Sequence, residues 1–559
     1  MTSTFDTPVI VVGAGLSGLA TALGVAKGGR RVLVLEASDL VGGAAAYSGG
    51  QVWCGANHVE ARLDIDDDLE RTEAYVRGIA HGCPELLDEA AMLRWLRTSP
   101  SALKYWEQIG AIRWEVIRDF SDYHDEVEGA LSEGRYLTNE IFDGRILGEW
   151  RSLLRVSPYF PVGMTYSEML TKGRRQSKLE EGNPIAQHAG MPAFGLPDSR
   201  ASLPASDNKR DPLTFGTGVV AGFLSCAVKE ELVKIQLSSR VTELLLDGGE
   251  VVGVRVEGPQ GIKELRGAVV LATSTFDWNE GLVREMLGLE PQDYGSVAPP
   301  TLRGDAISMV RKIGGGIVKF PPTVVPMLPG WRSEAGEGYG YGPEYALPHS
   351  IIVDLDGKRY CDDSFWVDIV AKTLDPADTH LPFFLIWDDQ HRAKYGLGVT
   401  PPGGRYPDGL VHSAPDLASL ADLLGVSADG LVDTVARFNP SAAVGDDPDW
   451  GRGTVSVVRR FAGDPSHLPN PVLGPIEQVP FYGMRLRFVG TGIGTSGVHI
   501  DGDGRVLDES CGPIPGLYAV GSCAAHTNLG TGYNSGMALG RGLTLAYLVS
   551  SELVGAAIS

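Results

Sequence analysis

The chain has 559 residues, room for two to four domains at about 150 residues each, and its 43% apolar and 21% charged residues suit a globular protein. Its 48 Lys and Arg against 70 Asp and Glu leave a net charge of −22, which repels phosphate backbones and anionic lipid surfaces and excludes nucleic-acid binding. Six cysteines form no Cys-x-x-Cys pair, which argues against a metal centre or a disulfide scaffold. No signal-peptide pattern and no apolar run of about 18 residues is present, so a cytoplasmic protein without a transmembrane segment is expected.

Pro8–Val12 reads as a buried parallel strand, running into Gly13-Ala-Gly15-Leu16-Ser17-Gly18 and a helix rich in small residues up to Lys27. Gly28-Gly29 stops that helix, and a second strand, Arg31–Leu35, ends at Glu36. Gly13 permits the sharp turn, Gly15 lets the backbone approach a pyrophosphate, and Gly18 lets helix and strand close together. The helix amino end, at Leu16 and Ser17, offers N–H groups to phosphate. Glu36, followed by Ala37, stands 23 residues after Gly13, where an acid accepts hydrogen bonds from ribose hydroxyls. Strand, glycine motif, helix, strand and acid in register predict a dinucleotide site, but do not separate FAD from NAD.

A second glycine-rich turn follows: Gly42, Gly43, Ala44, then Ser48, Gly49 and Gly50. This turn resembles the flavin-contacting segment of the fumarate reductase and 3-ketosteroid dehydrogenase flavoprotein superfamily. Members usually carry Ser or Thr where Ala44 stands, and no histidine is placed here to tether flavin. The resemblance thus implies non-covalent FAD.

Amphipathic patterns predict helices over Asp67–Ile79 and Glu85–Arg97, with an aromatic stretch from Trp106 to Tyr123 read as core. Residues 171–214 read as a polar surface insertion. A helix is predicted over Val219–Val233, then strands over Ile235–Leu246 and Val251–Val256. Gly267–Asn279 resembles the superfamily's second flavin stretch, implying cofactor contacts from Ala272, Thr273, Ser274 and Asn279, with Val241 presenting backbone to the adenine. Here Ser274 and Thr275 replace the usual glycines.

The terminal segment through Gly521 and Ser522 reads as a strand returning to the cofactor. A last helix begins near Gly536 and includes Met537 and Leu539; its positive dipole end favours reduced, anionic flavin. The expected fold is α/β: a Rossmann-like FAD-binding domain of glutathione-reductase type with an inserted α+β substrate domain. The expected segments are 1–276 and 475–559 for FAD and 277–474 for substrate.

Stretches at Gly304-Asp305, Ser350–Ser364 and Pro480–Tyr482 and the segment Gly494–Leu507 extend the resemblance to 3-ketosteroid Δ1-dehydrogenases over most of the chain. It implies that Tyr533 and the Gly536 N–H polarise a ketone while flavin N5 takes the β-hydride. Two tyrosines of the family fall at Val367 and His124. With its ordinary pKa of about 6.5, the His124 imidazole, aided by Tyr123, is the expected base, with a structural histidine as the alternative. Tyr482 is the next choice.

The leading expectation is FAD-dependent α,β-desaturation of a cyclic ketone, a 3-ketosteroid or smaller steroid-like ring, with a quinone or other electron acceptor. One alternative is an ene-reductase of fumarate reductase type, with Arg303, Arg485, Arg487 and Arg541 available for a carboxylate. The other is a non-catalytic flavin-binding protein.

Overall fold

The computed structural model describes residues 8–80, 82–157, 160, 163–173, 211–332, 339–341, 343–398, 400–406 and 408–558. Most of the expected insertion at 171–214 therefore lies outside the described residues. Its flanks are a helix, Tyr166–Lys172, and a short strand, Pro212–Leu213.

The β-branched run Val9–Val12 is buried along its whole length and lies inside a six-stranded sheet. Val32–Leu35 and then Val233–Gln236 pair in parallel on one side, and Val269–Leu271 and then Pro513–Ala519 on the other. Arg505–Leu507 closes the edge antiparallel. Such a two-sided burial needs helices on the faces. The first helix, Leu16–Lys27, packs against the last, Met537–Val554, so closely that a Cβ at Gly24 would collide with the Ser550 side chain. Trp106, on the helix Glu89–Gln108, donates to the Leu543 carbonyl at 3.2 Å.

Several predicted elements shift. The strand expected over 235–246 is two strands, Val233–Gln236 and Arg240–Asp247, because the backbone bends at Ser238 (φ +50°), whose N–H binds the Ser38 carbonyl. The helix expected over 219–233 is Phe215–Ala227, four residues earlier. Gly216 and Gly218 lie inside it because side chains there would strike the Ala45 carbonyl and the Asn139 amide. Tight packing overrides low helix propensity.

The middle of the chain forms two further four-stranded sheets. One joins Tyr294–Ser296, Arg487–Gly490, Met327–Arg332 and Tyr339–Tyr341; the other joins Ser350–Val353, Phe384–Trp387, Phe481–Arg485 and His412–Ala414. The second carries its own small core with the helices Leu417–Leu424 and Ala428–Ala442. By strand pairing, residues 481–490 belong to these sheets, and the chain next joins the six-stranded sheet at Arg505.

Candidate active site

Where the parallel strands end, the backbone turns around one large cavity of about 1860 Å³, open mouth included. The next, at about 300 Å³, is too small for a dinucleotide. Gly13 holds φ +111°, and a side chain there would strike the Ala272 carbonyl. At Gly18 it would strike the Gly13 carbonyl, so Gly18 stays behind the wall as a packing residue. Gly15 is open: beyond its two chain neighbours, the nearest atom to a Cβ there would be the Gly43 Cα at 4.0 Å. No side chain caps the first helix, whose amino end at Gly15, Leu16 and Ser17 lines the cavity.

Glu36 does more than the sequence suggested. Its half-buried carboxylate accepts the Ala14 N–H at 2.8 Å and the Ser38 N–H at 2.9 Å, fixing the glycine turn, while desolvation pushes its pKa up. It also lines the cavity with Ala37. Gly43, Ala44, Ser48, Gly49, Gly50, Val241, Ala272, Thr273, Ser274, Gly521, Ser522, Gly536 and Leu539 complete the wall as expected. Three other expected cofactor residues do not line it. Gly42 (φ +122°) caps the short helix Gly43–Tyr47 behind the wall. Asn279 accepts the Leu282 N–H at 3.1 Å and donates to the Arg303 carbonyl, capping the helix Glu280–Leu287. Met537 is buried in the core.

Asp305, from the Gly304-Asp305 stretch, also lines the cavity, as do Gln51, Phe461, Ser535 and the segment 491–493, for which the sequence suggested no role. Distant parts of the chain bring them there: Ser535 donates to Gln51, and Asp305 pairs with Arg240.

At one end stand Tyr533, Tyr123 and Trp366, with ring centroids 5.7 Å (Trp366–Tyr533) and 5.9 Å (Tyr123–Trp366) apart. Gly536 is the left-handed N-cap of the last helix (φ +83°); its carbonyl accepts the Trp53 N–H at 3.0 Å, and a Cβ would lie 2.7 Å from that nitrogen. Among the described residues, neither the Tyr533 hydroxyl nor the Gly536 N–H has a hydrogen-bond partner, though both residues line the cavity. Burial, then Tyr123, pushes the Tyr533 phenol well above its usual pKa, so it stays a proton donor.

Two expected catalytic residues lie elsewhere. His124 does not line the cavity: its ring packs edge-on against Phe365 at 6.0 Å, with Nδ1 3.6 Å from Glu126. Tyr123 packs against the same Phe365 ring at 5.8 Å, yet of the two only Tyr123 lines the cavity. Tyr482 sits in the second four-stranded sheet, stacked on Trp387 and donating to Asp389 at 3.1 Å. Val367 is half-buried and outside the lining.

Comparison with known proteins agrees with this geometry. An FAD-binding domain family matches residues 8–539. The chain belongs to that family. It is 31% identical to a 4-oxocyclohexanecarboxylate 2-dehydrogenase of Sinomonas cyclohexanicum, over 99% of this chain and 94% of that protein. A 3-oxosteroid 1-dehydrogenase of Mycobacterium tuberculosis is 28% identical over 98% of each. The crystal structure of 3-ketosteroid delta1-dehydrogenase from Sterolibacterium denitrificans superposes with a TM-score of 0.84 and 26% identity, covering 98% of this chain and 99% of that one.

The flavoprotein thus binds FAD, and its cradle fits the cofactor. Gly13 and Gly18 exclude side chains and Gly15 leaves the pyrophosphate approach open. No histidine or cysteine lines the cavity among the described residues, in keeping with a non-covalent cofactor. Among the described residues no group resembles a metal site, and no helix is long and apolar enough to cross a membrane.

Proposed function

We propose that this flavoprotein desaturates the α,β bond of a cyclic ketone, a 3-ketosteroid or a smaller steroid-like ring. The observation that carries the reading is the pair of unpartnered donors, the Tyr533 hydroxyl and the Gly536 N–H, on the cavity that holds FAD. The two donors receive the ketone oxygen and stabilise negative charge as it develops there, each worth about 3 kcal/mol of barrier. Tyr123 takes the α-proton that this polarisation acidifies; it replaces His124 as the base because it alone of the two lines the cavity. Bound FAD supplies the acceptor for the β-hydride, and a quinone or other electron acceptor reoxidises it. Trp366, Phe461 and Leu328 give the substrate an apolar wall that excludes water.

The ene-reductase reading needs a cation for its carboxylate. Among the described residues no lysine, arginine or histidine lines the cavity. Arg485 is paired with Asp293 at 2.6 Å, Arg541 is buried among carbonyls, and neither Arg303 nor Arg487 reaches the lining. A non-catalytic binder leaves the two open donors without a purpose.

Anaerobic mixing of the holoenzyme with a panel of saturated cyclic ketones tests the reading. One member should bleach the oxidised flavin and yield the enone. Tyr533→Phe should slow that bleaching about 150-fold with FAD retained, a factor that corresponds to about 3 kcal/mol. Bleaching by no ketone, or an unaffected Tyr533→Phe rate, overturns it.

A further inference from the structure

Behind the cofactor wall lies a cation with no counter-charge. Arg541, on the last helix one turn past Gly536, is buried. Its Nε donates to the Asn528 carboxamide oxygen at 2.6 Å, Nη1 to the carbonyls of Gly521 and Ala524 at 3.2 Å each, and Nη2 to that of Ala525 at 2.5 Å. All four acceptors are neutral, and Arg541 forms no ion pair with any described residue. A buried guanidinium normally sits beside a carboxylate, because removing an ion from water costs several kcal/mol. The neighbouring imidazole of His526 does not add charge, since burial and Arg541 hold its pKa well below normal.

The acceptors form the turn that meets the cofactor: Gly521 and Ser522 line the cavity. In a trans peptide the C=O and N–H point in opposite directions. Drawing the Gly521 carbonyl back onto Arg541 therefore aims the Ser522 N–H away from the guanidinium. That N–H has no partner among the described residues.

We propose that Arg541 is a positioning residue for FAD: it draws the carbonyls of Gly521, Ala524 and Ala525 inward, leaves the Ser522 N–H to the cofactor, and supplies the positive charge that favours cofactor reduction. Reduction by two electrons and one proton leaves the cofactor one unit more negative than before. The buried cation and the amino end of the last helix both favour that extra charge. The inference rests on FAD binding and not on the identity of the ketone.

The test is an anaerobic equilibrium of the holoenzyme with a reference dye, the reduced dye giving two electrons and one proton to FAD. Asn528→Asp keeps the side-chain shape and places a carboxylate against Arg541. It should lower the ratio of reduced to oxidised FAD at least tenfold at a fixed dye ratio, about 30 mV for a two-electron couple. Arg541→Met should shift the ratio the same way, and Arg541→Lys should stay near the parent. Should Arg541→Met fail to fold, Asn528→Asp decides alone. A ratio unchanged in Asn528→Asp overturns the proposal, as does one that rises. Weaker binding of both FAD forms by one common factor would make Arg541 a scaffold and nothing more.

Discussion

Asn534 reaches across 411 positions to hold Tyr123: its carboxamide oxygen accepts the Tyr123 N–H at 2.9 Å. The same side chain donates to Asp122 at 2.8 Å. Asp122 in turn receives the Trp53 indole at 2.8 Å and the Arg135 guanidinium at 2.8 Å, and Arg135 continues to Asp67. The segment carrying Tyr533, the proposed ketone polariser, is thus tied to the proposed base through one buried amide.

Asn534→Ala should separate these two tyrosines. It strands the Tyr123 N–H, at a stability cost of about 1–3 kcal/mol. Misplacement of the base should lower kcat about 100-fold, while FAD affinity holds. Steady-state kinetics beside a flavin titration separates the two effects; an equal loss in both would mean general damage.

Tyr123→Phe and His124→Ala form a contrasting pair. Removing the phenol should reduce turnover by about 10²–10⁴. Removing the imidazole, which lies outside the cavity, should leave both rate and pH profile unchanged. A pH–rate profile for each variant settles the assignment.

The glycine turn makes its own distinction. Gly18→Ala drives a methyl into the Gly13 carbonyl and should leave poorly folded protein. Gly15→Ala meets nothing within the chain closer than 4.0 Å and should fold normally, yet lose FAD affinity because its methyl occupies cofactor space. Near-parent melting of the apoprotein with weakened flavin binding is the expected signature.

Glu60 gives a pH dependence of stability. Its Oε2 accepts the Asn57 N–H at 2.7 Å, its Oε1 is buried without a partner, and burial, then Asp67, pushes its pKa up to about 8. With the folded pKa above the unfolded value, the native state holds a proton that the unfolded state releases. Stability from this group is full below about pH 4.5 and falls as pH rises toward 8. Glu60→Gln should remove that slope, so its melting temperature should gain on the parent between pH 5 and 8. A difference flat across that range refutes the assignment.

The cradle was legible because its signals are local. Gly13, Gly15, Gly18 and Glu36 lie within one strand–turn–helix–strand unit whose geometry dictates their spacing. Tyr533 and Gly536 were legible only through resemblance. The Asn534 clamp, the Gln51–Ser535 bond and the roof at 491–493 were not, since each is a contact between segments hundreds of residues apart with no periodic signature. His124 lies outside the cavity although its neighbour Tyr123 lines it, because adjacency in sequence does not fix which side chain reaches a cavity. Tyr482 was misjudged because Phe481–Arg485 joins the sheet of the middle segment, away from FAD.

In the central sheet, Val269–Leu271 lies between Val9–Val12 and Pro513–Ala519, just ahead of the Gly521 turn. A ribosome must therefore pass the Gly521 turn before the yellow vitamin derivative has a complete place to dock. Truncation ahead of Gly521 should leave a colourless product, however intact its first half.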